Sequence, residues 1–336
     1  MCHSRWRHLA GIAVAALALG CRGQAAGPPA TDAGVTDIEL DAGDTGIADA
    51  AGVASETSGE GGSWTSSNSP TTLSLQALWG SGKDDVWAVG QAGAMARWNG
   101  QVWSLAASGT GHTLAAVAGS GPSDVWAVGE SGTIIHWNGT VWSAVASGTM
   151  AYLGGVWASG ADDAWVVPLG AAILHWDGTS WTPSLDAGSS LLQALAVAGS
   201  GPSDVWAVGL GGTITHWDGS AWSTQDSGTP DDLAAVWSSG PTDVFSAGHK
   251  GAAGTIVHFD GSAWKLQASL PDGLTSLWGT SAKDVWAVGY AGMMEHWDGI
   301  TWSSYGFADA QLTAVWSSGA GDVWALSQSH AIVHIP

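Results

Sequence analysis

One phrase, Asp-Val-Trp or a near variant, returns at a nearly constant interval through most of this chain, and that period admits very few folds. Its aromatic residue falls at Trp87, Trp126, Trp165, Trp206, Phe245, Trp286 and Trp324, with spacings of 39, 39, 41, 39, 41 and 38. A His-Trp-Asp/Asn-Gly phrase follows, placing an aromatic at Trp98, Trp137, Trp176, Trp217, Phe259 and Trp297. A third tryptophan comes at Trp103, Trp142, Trp181, Trp222, Trp264 and Trp302.

Each copy contains strand-sized apolar runs separated by turn residues, and no helix-length segment. In the second copy the expected strands are Ala115–Ala118, Val125–Val128, Thr133–Trp137 and Thr140–Ser143. They are separated by turns at 119–123 and 129–132 and by a hairpin at Asn138-Gly139, whose two residues both accept positive φ. Four antiparallel strands in about 40 residues make a propeller blade. The chain is therefore expected to be all-β, a seven-bladed β-propeller over residues 63–336. The seventh copy reaches His334-Ile335-Pro336 after its third strand, whereas Gly62-Ser63-Trp64 matches the fourth-strand phrase that ends at Trp222. The segment around Trp64 is thus expected to complete the last blade and leave no unfinished edge.

A two-residue turn at 138–139 would set Trp137 opposite Thr140, Ile135 opposite Trp142 and His136 opposite Val141. Each blade would then show an aromatic face to one neighbour and a His-plus-aliphatic face to the other. The tryptophans would pack between blades or, on a second reading, serve as sugar-stacking platforms; Trp137, Trp142, Trp217 and Trp222 are the candidates. Asp85, Asp124, Asp163, Asp204, Asp243, Asp284 and Asp322 share one repeat position before the second strand, where a carboxylate can accept turn N–H groups. His136, His175, His216, His258, His296 and His334 also repeat, with Arg97 in their place in the first copy. One His per blade around a ring does not converge on a metal, so packed or hydrogen-bonded histidines are expected, with no metal and no cofactor. Departures from the repeat point to the fifth copy, with a longer second turn over 248–254 carrying His249 and Lys250, and to Pro168 in the third. His249 and Lys250 complete the candidate ligand contacts.

Charge narrows the partners. Eight Lys and Arg stand against 29 Asp and Glu, a net charge of −21, so a phosphate-binding surface is excluded and nucleic acid with it. Cationic partners would be preferred. Arg5 and Arg7 precede an uncharged run from Leu9 to Leu19, too short to span a bilayer, which ends in Leu19-Gly20-Cys21. Residues 1–21 are read as a signal peptide. Its ending resembles a bacterial lipobox, with Ala18 where Leu is usual, and the resemblance implies a lipid on Cys21. An ordinary secretory signal with an incidental cysteine is the alternative. The other cysteine, Cys2, lies within the signal, so no disulfide is expected after export. Residues 22–62 contain no aromatic residue and eight acids, and are read as a flexible tether, about 35 Å in root-mean-square span.

The inventory also weighs against enzymes. Residues 64–336 hold one arginine, Arg97, and two glutamates, Glu130 and Glu295, too few for a sialidase, and no cysteine for a cysteine-linked tyrosine copper site. Paired glycosidase carboxylates leave a propeller hydrolase as a remote reading. The pattern DVWAVG followed by HWDG and Trp resembles propeller repeats of Gram-negative surface lipoproteins, and more distantly is similar to tectonin-type lectin repeats. The first resemblance implies an outer-membrane or cell-surface lipoprotein, with a periplasmic or secreted protein as the alternative. The expected function is a monomeric, non-catalytic binding module, held to the membrane by its lipid alone, with a cell-envelope protein or glycan as partner. The second resemblance implies a multivalent lectin.

Overall fold

Each Asp-Val-Trp phrase forms the second strand of an antiparallel sheet, and the sheets follow one another along the chain as seven blades. The computed structural model describes residues 54–56, 64–185, 193–307, 311–319 and 321–335. The signal peptide, Cys21 and all of the tether except Ala54–Glu56 lie outside them. The second blade shows the pattern: Leu114–Gly121 innermost, then Asp124–Gly129, Ile134–Trp137 and Trp142–Val145. The innermost strands of neighbouring blades touch all the way round, Leu312–Gly319 of the seventh against Leu75–Gly82 of the first.

The ring closes as expected. Trp64–Asn68 pairs antiparallel with Ala331–Ile335, with Thr65 opposite His334 and Asn68 opposite Ala331. Ala54–Glu56, within the span read as tether, adds a fifth strand outside it, with Ser55 opposite Thr65. A last strand offers unpaired backbone N–H and C=O groups, and these three residues take them up.

Because a blade is covered on both faces, its second strand loses the one-sided alternation of a solvated sheet. All six residues of Asp124–Gly129 are buried. The inner strand is longer than expected, and the turn after it shrinks to Pro122-Ser123. A register shift between Gly119 and Gly121 absorbs the surplus residue and brings the Ser120 hydroxyl onto Asp124.

The third and fourth strands also depart from the expected register. Trp137 lies opposite Trp142, His136 opposite Ser143 and Ile135 opposite Ala144, two residues further on than a turn at 138–139 gives. The cause is Asn138, whose Oδ1 accepts the N–H groups of both Thr140 and Val141 and so spreads the loop over 138–141. Only Gly139 takes a positive φ, at 92°. A shift of two keeps each side chain on its face, so the face assignments survive although the pairs do not.

In the fifth copy the surplus residues lengthen strands, not a turn. Asp243–Lys250 and Ala253–Phe259 pair as far as Lys250 opposite Ala253. Pro168 ends the second strand of the third blade, where the neighbouring Leu169 N–H reaches Tyr152 O at 2.7 Å.

Inner strands are matched by size across the junctions. Trp79 of the first blade covers Gly119 of the second, and Trp157, Trp237 and Trp316 cover Gly199, Gly279 and Gly80 in the same way. Where the inner residue is Ala118, the next blade carries Ala158.

Candidate functional site

The repeated polar residues form one relay per blade. In the second blade His136 Nε2 stands 2.7 Å from Asp124 Oδ1, and the Ser120 hydroxyl donates to Asp124 Oδ2. The same three positions are linked as Ser159, Asp163 and His175, as Ser200, Asp204 and His216, and as Ser239, Asp243 and His258. Thr280, Asp284 and His296, then Ser318, Asp322 and His334, complete the series. In the first blade Arg97 Nε donates to Asp85 Oδ1 at 2.7 Å, beside Ser81. The aspartates thus hold side-chain partners across the blade as well as standing at the turn. Burial pushes the Asp124 carboxyl up, but the His136 and Ser120 hydrogen bonds and the nearby imidazole outweigh it, so the net direction is down. The His position is legible in the repeat; its pairing with Asp needs the hairpin register.

This order of bonding is not that of a nucleophile. A serine hydroxyl becomes reactive when a histidine takes its proton. Here Ser and His both donate to the aspartate between them, so the hydroxyl has no base. The second-strand Trp covers the imidazole, with Trp126 and His136 stacked at 4.0 Å and 24°. Among the described residues no group of three His, Cys, Asp or Glu is placed to hold a metal ion.

The tryptophan candidates lie in the blade junctions. Trp87 of the first blade meets Trp137 at 5.2 Å and, edge-on, Trp142 at 5.1 Å. Trp165 of the third blade meets Trp217 and Trp222 at 5.4 and 5.3 Å. Such tilted and edge-on pairs add about 1 kcal/mol each beyond area burial. The indole N–H groups of Trp137 and Trp217 donate to Pro122 O and Pro202 O, both at 3.2 Å. The His face therefore also carries the second-strand aromatic, and a junction is aromatic from both sides. At the last junction Ile335 stands in the third-strand aromatic position, and Tyr305 packs on Trp286 at 5.2 Å.

Two openings lie beside the second blade, with Trp142 lining both. A groove of about 570 Å³ lies between the first two blades, lined by Trp87, Arg97, Leu105, Trp137, Val141 and Trp142 among others. A second, of about 760 Å³, runs from Trp142 along Ala144 and Val145 to the loops around His112 and Met150. Arg97 is fixed in the first groove. Its Nε is bonded to Asp85, and its guanidinium carbon lies 4.8 Å from the Trp87 ring and 5.5 Å from the Trp137 ring. In the sequence Arg97 stands out as the exception in the His series and as the one arginine of residues 64–336. That exception was the available signal.

His249 and Lys250 sit at the end of the long fifth-blade hairpin. His249 packs near Tyr290, at 5.7 Å, with its Nδ1 buried, and Lys250 Nζ is exposed and 3.9 Å from Asp231. The structure does not bring them near the Trp137 and Trp142 groove.

No protein-family model and no curated protein matches the chain. Solved structures do. YCF48 bound to D1 peptide superposes with a TM-score of 0.64 at 18% identity, over 81% of this chain and 96% of that one. YCF48 from Cyanidioschyzon merolae gives 0.64 at 17%, over 81% and 98%. The WD40 β-propeller domain of Doa1 gives 0.65 at 11%, over 80% and 94%. At these identities the likeness is one of fold: a seven-bladed propeller.

Proposed function

We propose that this chain is a protein-binding module of the cell envelope, exported, lipid-anchored at Cys21 and without catalysis. One observation carries the binding reading. The repeated polar and aromatic side chains are occupied in holding the ring together, while the first junction alone combines an arginine with an open, aromatic-walled groove. The YCF48 structure with its bound peptide supports a protein as partner by analogy of fold. The lipoprotein address rests on Arg5, Arg7 and the Leu19-Gly20-Cys21 ending.

A multivalent lectin asks for open ring faces in every blade. Here Trp217 and Trp222 pack on Trp165, and Trp137 and Trp142 pack on Trp87 while also lining the first groove. That leaves the lectin reading with less support than the protein-binding one.

The test has two arms. The full chain is made in a Gram-negative host fed an alkyne fatty acid, beside Cys21→Ser. Label and membrane retention that vanish in the variant support the anchor; equal label in both defeats it. Photo-crosslinking from the groove in envelope preparations tests the module. One stoichiometric protein adduct supports it, and weakening of that adduct by salt would add that the partner is cationic, as the charge of −21 favours. Adducts to glycans alone overturn it in favour of the lectin.

A further inference from the structure

We infer that the groove between the first two blades receives an extended peptide segment through a carboxylate bound to Arg97, with an adjacent apolar side chain seated against Val141. This rests on the protein-binding reading above and names its site and the chemistry it takes.

Arg97 is the only arginine among residues 64–336, and it occupies the position that holds histidine in the other six blades. It is pre-organised: Asp85 holds Nε at 2.7 Å, and the Trp87 and Trp137 rings hold the guanidinium plane. Among the described residues its two terminal nitrogens make no hydrogen bond, and Arg97 lines the groove. A guanidinium with both terminal N–H groups available matches a carboxylate in bidentate fashion, which an imidazole cannot do. Little ordering cost remains to be met on binding. Asp84 at the groove is already held by Lys83 at 2.6 Å, so it opposes an incoming anion less than a bare carboxylate would.

The neighbouring wall favours a peptide over a sugar acid. Trp103–Leu105 is the last strand of its sheet, so one edge carries unpaired backbone groups among the described residues. This chain already shows what such an edge accepts. Ala54–Glu56 adds to the outer strand of the seventh blade in antiparallel register. An extended segment adding to Trp103–Leu105 would use the same backbone pairing, with alternate side chains supplying specificity. A large apolar residue stands open at the groove: Val141 is 52% exposed. An open apolar side chain beside a fixed cation suits an apolar residue followed by a carboxylate.

The shared chemistry is a carboxylate on an extended backbone, from a chain terminus or from an Asp or Glu side chain. Calorimetry with the full chain at pH 8 separates these. The probes are acetyl-Ala-Leu-Val as free acid, its C-terminal amide, acetyl-Ala-Leu-Glu amide, and glucuronate. The free acid is expected to bind, and its amide to bind roughly tenfold to a hundredfold more weakly, as loss of a charge-assisted hydrogen bond implies. Binding of the Glu amide as tight as the free acid assigns the site to side-chain carboxylates; weaker binding assigns it to chain termini. The variant Arg97→His copies the other six blades and so keeps an Asp85 partner, and it should lose the preference for free acid over amide.

Equal binding of acid and amide, an unchanged preference in Arg97→His, or no heat up to about 10 mM peptide, where affinity is only about −3 kcal/mol, each overturns the proposal. Binding of glucuronate without any peptide overturns it in favour of a sugar acid. If wild type and Arg97→His capture the envelope partner equally, this site fails while the module reading stands. If the wild type captures no protein, the module reading itself fails.

Discussion

His136 Nε2 lies 2.7 Å from Asp124 Oδ1, a bond that joins the third strand of the second blade to the start of its second. With an ionised carboxylate as acceptor, Nε2 is the nitrogen that carries the proton. The imidazole lies flat on Trp126, so one side chain serves the hydrogen bond and the aromatic stack together. His136→Ala should lower stability by about 2 kcal/mol, the value of a hydrogen bond to a charged group, before any loss of stacking. Chemical denaturation measures it, and a change under about 0.5 kcal/mol, the size of an ordinary surface substitution, would show that the relay does not hold the blade.

The relays also set the acid limit. Asp124, Asp163, Asp204 and Asp322 are pushed up by burial but brought down further by His and Ser hydrogen bonds. For Asp284 the His296 bond is the largest influence, and the direction is again down. A carboxyl depressed in the folded state binds protons less readily there than in the unfolded chain. Its stabilisation is complete above the unfolded value, about 3.9, and is lost as pH falls through the folded value. Melting temperature should therefore drop steeply below about pH 4. A melting temperature that holds steady from pH 5 to pH 2.5 contradicts the relay account.

The repeat spacing made the blades, their number and the closing strand at Trp64 legible from sequence, because each follows from a period and from matching a phrase. What it left obscure needed register. Asn138 looks like half of a two-residue turn, yet its side chain captures the N–H groups of Thr140 and Val141 and moves every pair by two. The relay, the two-sided aromatic junctions and the place of Arg97 depend on a different register, that of the second and third strands, which sets Trp126 opposite His136 and Trp87 opposite Arg97. In the sequence the repeat aspartates read as turn residues, because Ser120 and His136 are 4 and 12 residues away from Asp124, and only the bulge and the hairpin bring them together.

The size match between Trp79 and Gly119 should show as coupling. A Cβ on Gly119 would stand 2.9 Å from the Trp79 ring and 2.3 Å from the Asp124 carbonyl oxygen. Gly119→Ala should destabilise by about 1–3 kcal/mol, as overpacking does. Trp79→Ala on its own should cost about 3–5 kcal/mol. Relief of the ring clash predicts that the double variant is less destabilised than the two costs combined, by roughly 1 kcal/mol. Strict additivity would mean that the backbone contact alone makes glycine necessary.

Glu295 is a misfit whose removal should help. It is 3% exposed at a position held by Ile135 and Leu174 in other blades, and among the described residues its one side-chain hydrogen-bond donor is Ser304 at 2.6 Å. Burial pushes its carboxyl up, against the smaller influence of that bond. A raised folded pKa means that stability is lost as pH rises from the unfolded value through the folded one, so the cost is present at pH 7. Glu295→Leu should raise stability at pH 7 by about 1–3 kcal/mol, the cost of a poorly satisfied buried polar group, with a smaller gain at pH 4. A lower melting temperature at both values would identify the Ser304 bond as a net stabiliser.

Closure gives the sharpest structural test. Trp64–Asn68 is the fourth strand of the seventh blade, and the Thr65 hydroxyl also donates to His334 O at 3.2 Å. Deleting residues 60–70 leaves Ala331–Ile335 as an exposed edge beside the first blade, and it removes the strand on which Ala54–Glu56 pairs. An exposed apolar edge is also a template for pairing with other chains. The deletion should lower the melting temperature and promote association at high protein concentration. Hydrogen exchange localises the effect: amides of Asp322–Ser327 and Ala331–Ile335 should lose protection first, while Asp163–Pro168 on the far side of the ring keeps its own. An unchanged melting temperature, with protection in the seventh blade intact, would show that three strands suffice there and that the ring does not depend on its closing strand.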